Sequence, residues 1–251
     1  MRGTIKAVSS IPNTSGIGTQ PSPNEIDTTM GHASEALATG SSLHAAMLCR
    51  DALHMARSRG DFERMSRICM PMLEAHRAVR LDALAAGPAK VISSGSDIDG
   101  LPEMGCYLFA PMLVGADARQ FRTAANAAGI PVFVLTREPQ MSNGLWPVCG
   151  VGERVVRIRI QPPSNEDLID PQWFNYASEQ LGDQAIEDAN NAGEPDDPAA
   201  WRVDDFLDRI DACPEHEKFI KALADACKAA MAMPTPTVIR RRALINDPYS
   251  F

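Results

Sequence analysis

The hydrophobic period of the sequence changes twice between positions 106 and 135, and that change limits the folds open to the chain. Residues 106–109 form a short apolar run, and residues 117–128 place Phe121, Ala124, Ala125 and Ala128 on one helical face. Residues 130–135 are again continuously apolar. Short apolar runs bounded by turn residues read as buried strands, and a three-four repeat reads as an amphipathic helix. Gly129 stands where the helix needs its C-cap. A strand–helix–strand unit whose strands share a sheet is parallel and right-handed. The fold class is therefore predicted as α/β, or α+β if the remaining strands segregate from the helices.

The remaining strands are predicted at 91–92, 145–148 and 155–160, with turn signals at Asn143-Gly144 and Gly152-Glu153. Alternation along Arg157-Ile158-Arg159-Ile160 turns the isoleucines to the core and the arginines outward. Together these give a central mixed sheet of about five strands over 89–163. The link from the first strand to the second is about a dozen residues with no helix. It suits a hairpin as well as a tight crossover.

Before the sheet, residues 34–87 read as a helix hairpin. Leu43, Ala46, Met47, Leu53 and Ala56 share one face. Gly60 breaks the run, Asp61 caps the next helix, and Phe62, Met65, Cys69, Met72, Leu73, His76 and Leu84 continue the repeat. Pro71 is expected to kink or divide the second helix. The turn resembles that of a tetratricopeptide repeat, but a lone hairpin has no neighbouring repeats to share a core with. Residues 1–33 are polar and rich in Pro, Gly, Ser and Thr, and are expected as a disordered tail. Residues 233–251, which include Arg240-Arg241-Arg242, are expected as an arm.

After the sheet the charge changes. Between Glu166 and Glu217 stand sixteen of the chain's 32 acidic residues, with two arginines and no lysine. Helices are expected at 171–181, 203–212 and 215–231, so that 34–232 forms one domain. The hairpin carries seven arginines between Arg50 and Arg80. Oppositely charged segments can attract one another within a fold, join subunits or steer a charged partner. Arg57, Arg64, Arg67, Arg157 and Arg159 are the candidates for such contacts.

Net charge is −8 over 251 residues, which disfavours sequence-independent nucleic-acid binding, since that needs excess Lys and Arg. No apolar run reaches the length of a membrane span, and the N-terminus carries no secretory signal pattern. The six cysteines form no Cys-x-x-Cys pair, and with no export signal they read as buried free thiols of a cytoplasmic protein. No zinc-ligand spacing is visible. His216 reads as a solvated residue at a helix start.

Asp97-Ile98-Asp99-Gly100 resembles the nucleophile motif of the haloacid dehalogenase-like phosphatases. That resemblance implies Asp97 as nucleophile, Asp99 as acid and base, and Mg²⁺ held by Asp97 and Asp183, with Thr136 as the second motif. The chain departs from the pattern in four places. Ser93-Ser94-Gly95-Ser96 separates Asp97 from its strand, and Leu101-Pro102 follows Gly100. Gly182-Asp183 ends a helical pattern, and no lysine lies between Thr136 and Asp183. The other reading of 97–100 is a polar turn. Residues 106–163, with 115–119, 131–139 and Trp146-Pro147, resemble a group of bacterial proteins of the planctomycete type, which implies no activity, cofactor or site.

If the second and third strands are parallel, Gly115, Asp117, Arg119, Thr136 and Arg137 gather at their carboxyl ends, where open α/β sheets bind ligands. Two functions follow as expectations. The leading one is a non-catalytic protein without a cofactor that binds a protein partner or itself through its Arg-rich and acidic surfaces. The alternative is a small-molecule or phosphate-ligand site on the sheet edge, in its enzymatic form a Mg²⁺-dependent phosphatase.

Overall fold

A computed structural model describes residues 22–98, 100, 102–166 and 168–233, and within them three helices precede the first strand. The boundary expected at residue 33 is corrected. Helix α1 (Pro23–Ala38) begins at Ser22, whose hydroxyl accepts from the Glu25 amide at 3.2 Å while the Glu25 carboxylate accepts from the Ser22 amide. This is a capping box with proline in the first turn. The Pro and Ser that suggested a loop are helix-start residues. Ile26, Ala33 and Ala36 are the only buried residues of α1, too few for its periodicity to stand out. Residues 1–21 and 234–251, which include most of the expected tail and arm, lie outside the described residues.

Helices α2 (Ser42–Ser58) and α3 (Phe62–Ala85) form the expected hairpin, with the Asp61 carboxylate accepting from the Arg64 amide at 3.0 Å. Pro71 does not divide α3. The lost amide bond is outweighed by burial on both sides of it, Met65, Ile68 and Cys69 before and Met72, Ala75 and Val79 after.

The sheet is β1 (Lys90–Ile92), β2 (Gly105–Phe109), β3 (Val132–Arg137), β4 (Trp146–Gly150) and β5 (Arg157–Ile160), paired in that order. β1, β2 and β3 are parallel, and β4 and β5 return antiparallel. The link from β1 to β2 is thus a crossover, made with only one turn of 3-10 helix at Gly95–Ile98. Helix α4 (Gly115–Ala127) joins β2 to β3 and covers one face, where Phe121 packs on Tyr107 and Phe109 with ring centroids 4.6 and 5.5 Å apart. The opposite face presents Leu108, Phe133, Leu135, Trp146, Val148 and Ile158 to a helical layer. Alternating strand residues therefore serve two separate cores.

That helical layer is α3 together with α5 (Pro171–Asn190), α6 (Ala199–Leu207) and α7 (Glu217–Met231). Phe174 meets Phe133 edge-on at 5.0 Å, and Trp173 meets Trp146 at 5.8 Å. The acidic helices are longer or shifted relative to expectation, because their apolar stripes, not their charges, set their register.

His216 overturns the solvated reading. Its side chain is fully buried and caps α7, Nδ1 accepting from the Phe219 amide at 3.2 Å. That bond places the proton on Nε2, which lies 3.3 Å from Glu179 Oε2 and 3.5 Å from Asp183 Oδ1. Burial holds the imidazole below its usual pKa despite the two carboxylates. Gly182 lets α5 approach this ring so closely that a Cβ there would lie within the imidazole. We expect Gly182→Ala to destabilise the protein by about 2–3 kcal/mol in urea unfolding. Combined with His216→Ala, the loss should fall short of the sum of the two single losses by more than ~1 kcal/mol, since the second change removes the clash.

Candidate functional site

Three parallel strands ending side by side leave their carboxyl ends, and the loops that follow, along one edge of the sheet. There the β2–α4 loop, the end of β3 and the β4–β5 turn enclose a cleft of about 390 Å³. Gly115, Arg119, Thr136 and Arg137, which the sequence pattern places together, all line it. Arg157 lines it too, from β5. Asp117 does not, because its carboxylate turns back to accept from the Val114 amide at 2.8 Å and closes the first turn of α4.

The polar groups of the cleft are predominantly cationic. Arg119 donates to the Gly152 carbonyl at 3.3 Å, and Arg157 donates to Glu138 at 2.5 Å. Arg137 stacks on the Trp146 indole, its guanidinium carbon 4.2 Å from the ring centroid. Among the described residues it has no carboxylate hydrogen-bond partner, and its Nε is buried without any. Burial pulls its pKa below the usual arginine value, and Glu166 only partly offsets this. Arginine remains charged in proteins regardless, so Arg137 is a partly desolvated cation held by a ring face. The Thr136 hydroxyl donates to the Cys149 carbonyl at 3.2 Å, which makes it a structural tie between β3 and β4.

The cleft mouth is apolar and strained. Met112 has φ 92° and is 93% exposed, and Val114 and Val155 are also exposed. A non-glycine residue at such φ costs about 1–3 kcal/mol and persists where the surroundings impose it, often beside a functional site.

The residues named by the phosphatase resemblance are not assembled. Asp97 follows β1 and so shares the cleft's edge of the sheet, but its Oδ2 accepts from the Ser93 and Ser94 amides, both at 2.9 Å. Those bonds, chiefly the one from Ser93, hold its carboxyl below the usual range. It closes a polar turn. Asp99 lies outside the described residues. Asp183 sits on α5, in the helical layer across the sheet, and pairs with Lys218 at 3.0 Å. The pairing of Asp97 with Asp183 as metal ligands is therefore corrected. Among the described residues no group of three or more His, Cys, Asp or Glu side chains is placed to hold a metal ion.

The arginines of the hairpin turn inward. Arg57 makes a two-pronged bond to Asp204, at 2.5 and 2.8 Å, and Asp204's side chain is only 11% exposed. Arg64 bridges Asp27 and Asp61. Arg77 and Arg80 converge on Glu217, and Arg50 pairs with Asp211. Arg67 remains outside, 77% exposed and 3.9 Å from Glu63. Arg159 also projects from β5 into solvent.

A second cleft, of about 320 Å³, lies between the hairpin and α4 and contains His76 and Glu215. Periodicity places His76 on a helix face, but no local signal brings it to Glu215, which follows it by more than half the length of the chain. No described helix is long and apolar enough to cross a membrane. No family model, curated protein or solved structure matches the chain.

Two measurements test the internal role of the charges. Arg57→Ala removes a two-pronged bond to a mostly buried carboxylate and should cost about 2–3 kcal/mol, whereas Arg67→Ala should stay within about 0.5 kcal/mol by the same denaturant titration. Arg77 holds the Glu217 carboxyl down to about 2 from an ordinary 4.5. A depressed carboxyl contributes stability above its unfolded value and loses it as pH falls through the folded one. The stability gap between wild type and Glu217→Gln should thus be full at pH 6 and close between about 4.5 and 2.

Proposed function

We propose that the chain is a cytoplasmic binding domain for a small molecule with an apolar body and an oxyanion, phosphoryl or carboxylate, taken in the sheet-edge cleft. The observation that carries this reading is Arg137, a partly desolvated guanidinium with no carboxylate partner among the described residues. Arg119 and Arg157 line the same cleft, against the carboxylates of Glu138 and Glu153, so one cationic charge is left over. An oxyanion offers Arg137 the planar acceptor that its fork fits. The exposed side chains of Met112, Val114 and Val155 would cover the ligand's apolar part.

The cytoplasmic assignment draws support from the six cysteines, which are all free and buried. Burial pushes the thiols up, Cys49 to about 11 and Cys106 and Cys227 to about 12, so they are protonated and inert at neutral pH. Hydrolysis of a bound ester has less support, because Asp97 is committed to its turn and Asp183 belongs to another layer. Association through the hairpin arginines has less support as well. Arg57 and Arg64 are spent on internal carboxylates, and Arg67 and Arg159 are left as the outward ones.

Phenyl phosphate titrated by calorimetry at low and high salt tests this reading. Binding should weaken with salt. Arg137→Met and Arg119→Met should each weaken it by about tenfold or more, while Arg67→Ala leaves it unchanged. Binding that ignores both cleft substitutions, or none at millimolar ligand, would overturn the proposal.

A further inference from the structure

The two side edges of the sheet are finished differently. Next to β1, the Ala89 amide donates to the Ile169 carbonyl at 2.9 Å, so that side is partly closed. β5 is the opposite edge, and among the described residues no strand pairs with its outer side. An open edge presents unpaired N–H and C=O groups to which another chain can add.

The ladder fixes which backbone groups this edge offers. The Gly150 amide donates to the Val156 carbonyl at 3.1 Å, so Gly150 and Val156 form a hydrogen-bonded pair. Antiparallel pairs alternate. Val148–Ile158 and Trp146–Ile160 are therefore bonded pairs, while Cys149–Arg157 and Pro147–Arg159 are not. Pro147, which has no amide to donate, suits its place. The main-chain N–H and C=O of Arg157 and Arg159 thus point away from β4. The next carbonyl on that side, from Gln161, already accepts from Trp173 Nε1 of α5 at 3.0 Å, and Pro162-Pro163 then ends the strand.

α5 supplies the wall of a groove along this edge. Gln180, Asp183, Gln184 and Glu187, spaced as one helical face, line a space of about 590 Å³ together with Arg157–Ile160. Two of its charges are already matched, Asp183 by Lys218 at 3.0 Å and Arg157 by Glu138 at 2.5 Å. Among the described residues Arg159 and Glu187 form no ion pair, and the Glu187 carboxylate accepts from the Gln184 amide at 3.4 Å. Arg159 projects on the face of β5 turned away from the helical layer, and Glu187 belongs to that layer. A strand added to the edge sends alternate side chains to the two faces. It meets a cation on one face and a carboxylate on the other.

That arrangement selects the occupant. A second copy paired antiparallel along the same edge would set arginine opposite arginine, which is unfavourable. The chain's own Arg240-Arg241-Arg242 run suits the edge no better, since consecutive arginines put a cation on each face of a strand. We propose that the open edge of β5 takes an extended segment of a partner protein as an added antiparallel strand, with acidic side chains opposite Arg157 and Arg159 and a basic one between them toward Glu187. Main-chain bonds to Arg157 and Arg159 hold the segment, and its alternating charges distinguish it. This surface shares only Arg157 with the sheet-edge cleft.

The capped pentapeptide VEKEV, followed by protein-observed NMR on the full chain at pH 7, tests the assignment. It should shift resonances of residues 157–160 and 180–187 and bind about tenfold more tightly than the charge-swapped VKEKV. N-methylation of both glutamate amides removes the donors that face the edge and keeps the charges, and should also weaken binding about tenfold. Arg159→Glu and Glu187→Lys should each weaken it about fivefold, while Arg137→Met leaves it intact. No shifts at these residues at millimolar peptide would overturn the proposal, as would equal binding of the N-methylated peptide. Binding that Arg137→Met removes and Arg159→Glu spares would place the peptide's acids in the sheet-edge cleft instead. Shifts at 157–160 that grow with protein concentration alone would give the edge to a second copy, and would overturn the proposal as well.

Discussion

The structure depends on how the acidic helices are seated against the arginine-bearing hairpin. α7 lies along α3, and at its start Glu217 receives Arg77 at 2.6 Å and Arg80 at 3.1 Å. Arg57 to Asp204 and Arg50 to Asp211 repeat the tie along the same seam. Every one of these pairs joins residues more than 130 positions apart. They close the chain over the sheet, which lies between them in sequence. Apolar burial supplies the driving force, since exposed ion pairs contribute little by themselves. The pairs reinforce a register that large apolar side chains set, with the Phe206 and Phe219 ring centroids 5.2 Å apart between α6 and α7.

This seam sets both clefts. Seating α7 against α3 places residues 213–216 over the hairpin, which puts Glu215 opposite His76 and buries His216 beneath Gly182. The same layer packs Trp146 from below, so that Arg137 has an indole to lie on at the sheet edge. A partly desolvated guanidinium at the sheet edge and a buried carboxyl behind the hairpin both cost free energy on folding. Natural chains keep such groups where a ligand or a reaction uses them.

What could be read from the sequence was what local physics decides. The strand–helix–strand unit, the hairpin turn at Gly60-Asp61, the outward arginines of β5 and the mixed sheet were all written in period and turn chemistry. So was the gathering of Gly115, Arg119, Thr136 and Arg137, because parallel strands send their ends to one edge. The rest was not legible, for three physical reasons. α1 hides behind residues that serve loops and helix starts alike. His216 sits among charged neighbours, yet its burial is set by a glycine on another helix. The direction of the arginines needed tertiary structure. Segregated charge shows that attraction exists and not whether it closes within one chain or between two.

Pairing within one chain bears on function. An arginine cluster at the surface would make the hairpin a broad electrostatic platform for acidic partners. With Arg50, Arg57, Arg64, Arg77 and Arg80 neutralised internally, Arg67 and Arg159 stay in solvent and Arg137 lies without a carboxylate hydrogen-bond partner among the described residues at the carboxyl edge of the sheet. A broad field steers many partners weakly, whereas a few desolvated groups in a concave site discriminate among small ones. On the reading proposed above, small-molecule recognition falls to the sheet-edge cleft, with the charged helices serving as the frame that holds the sheet in place.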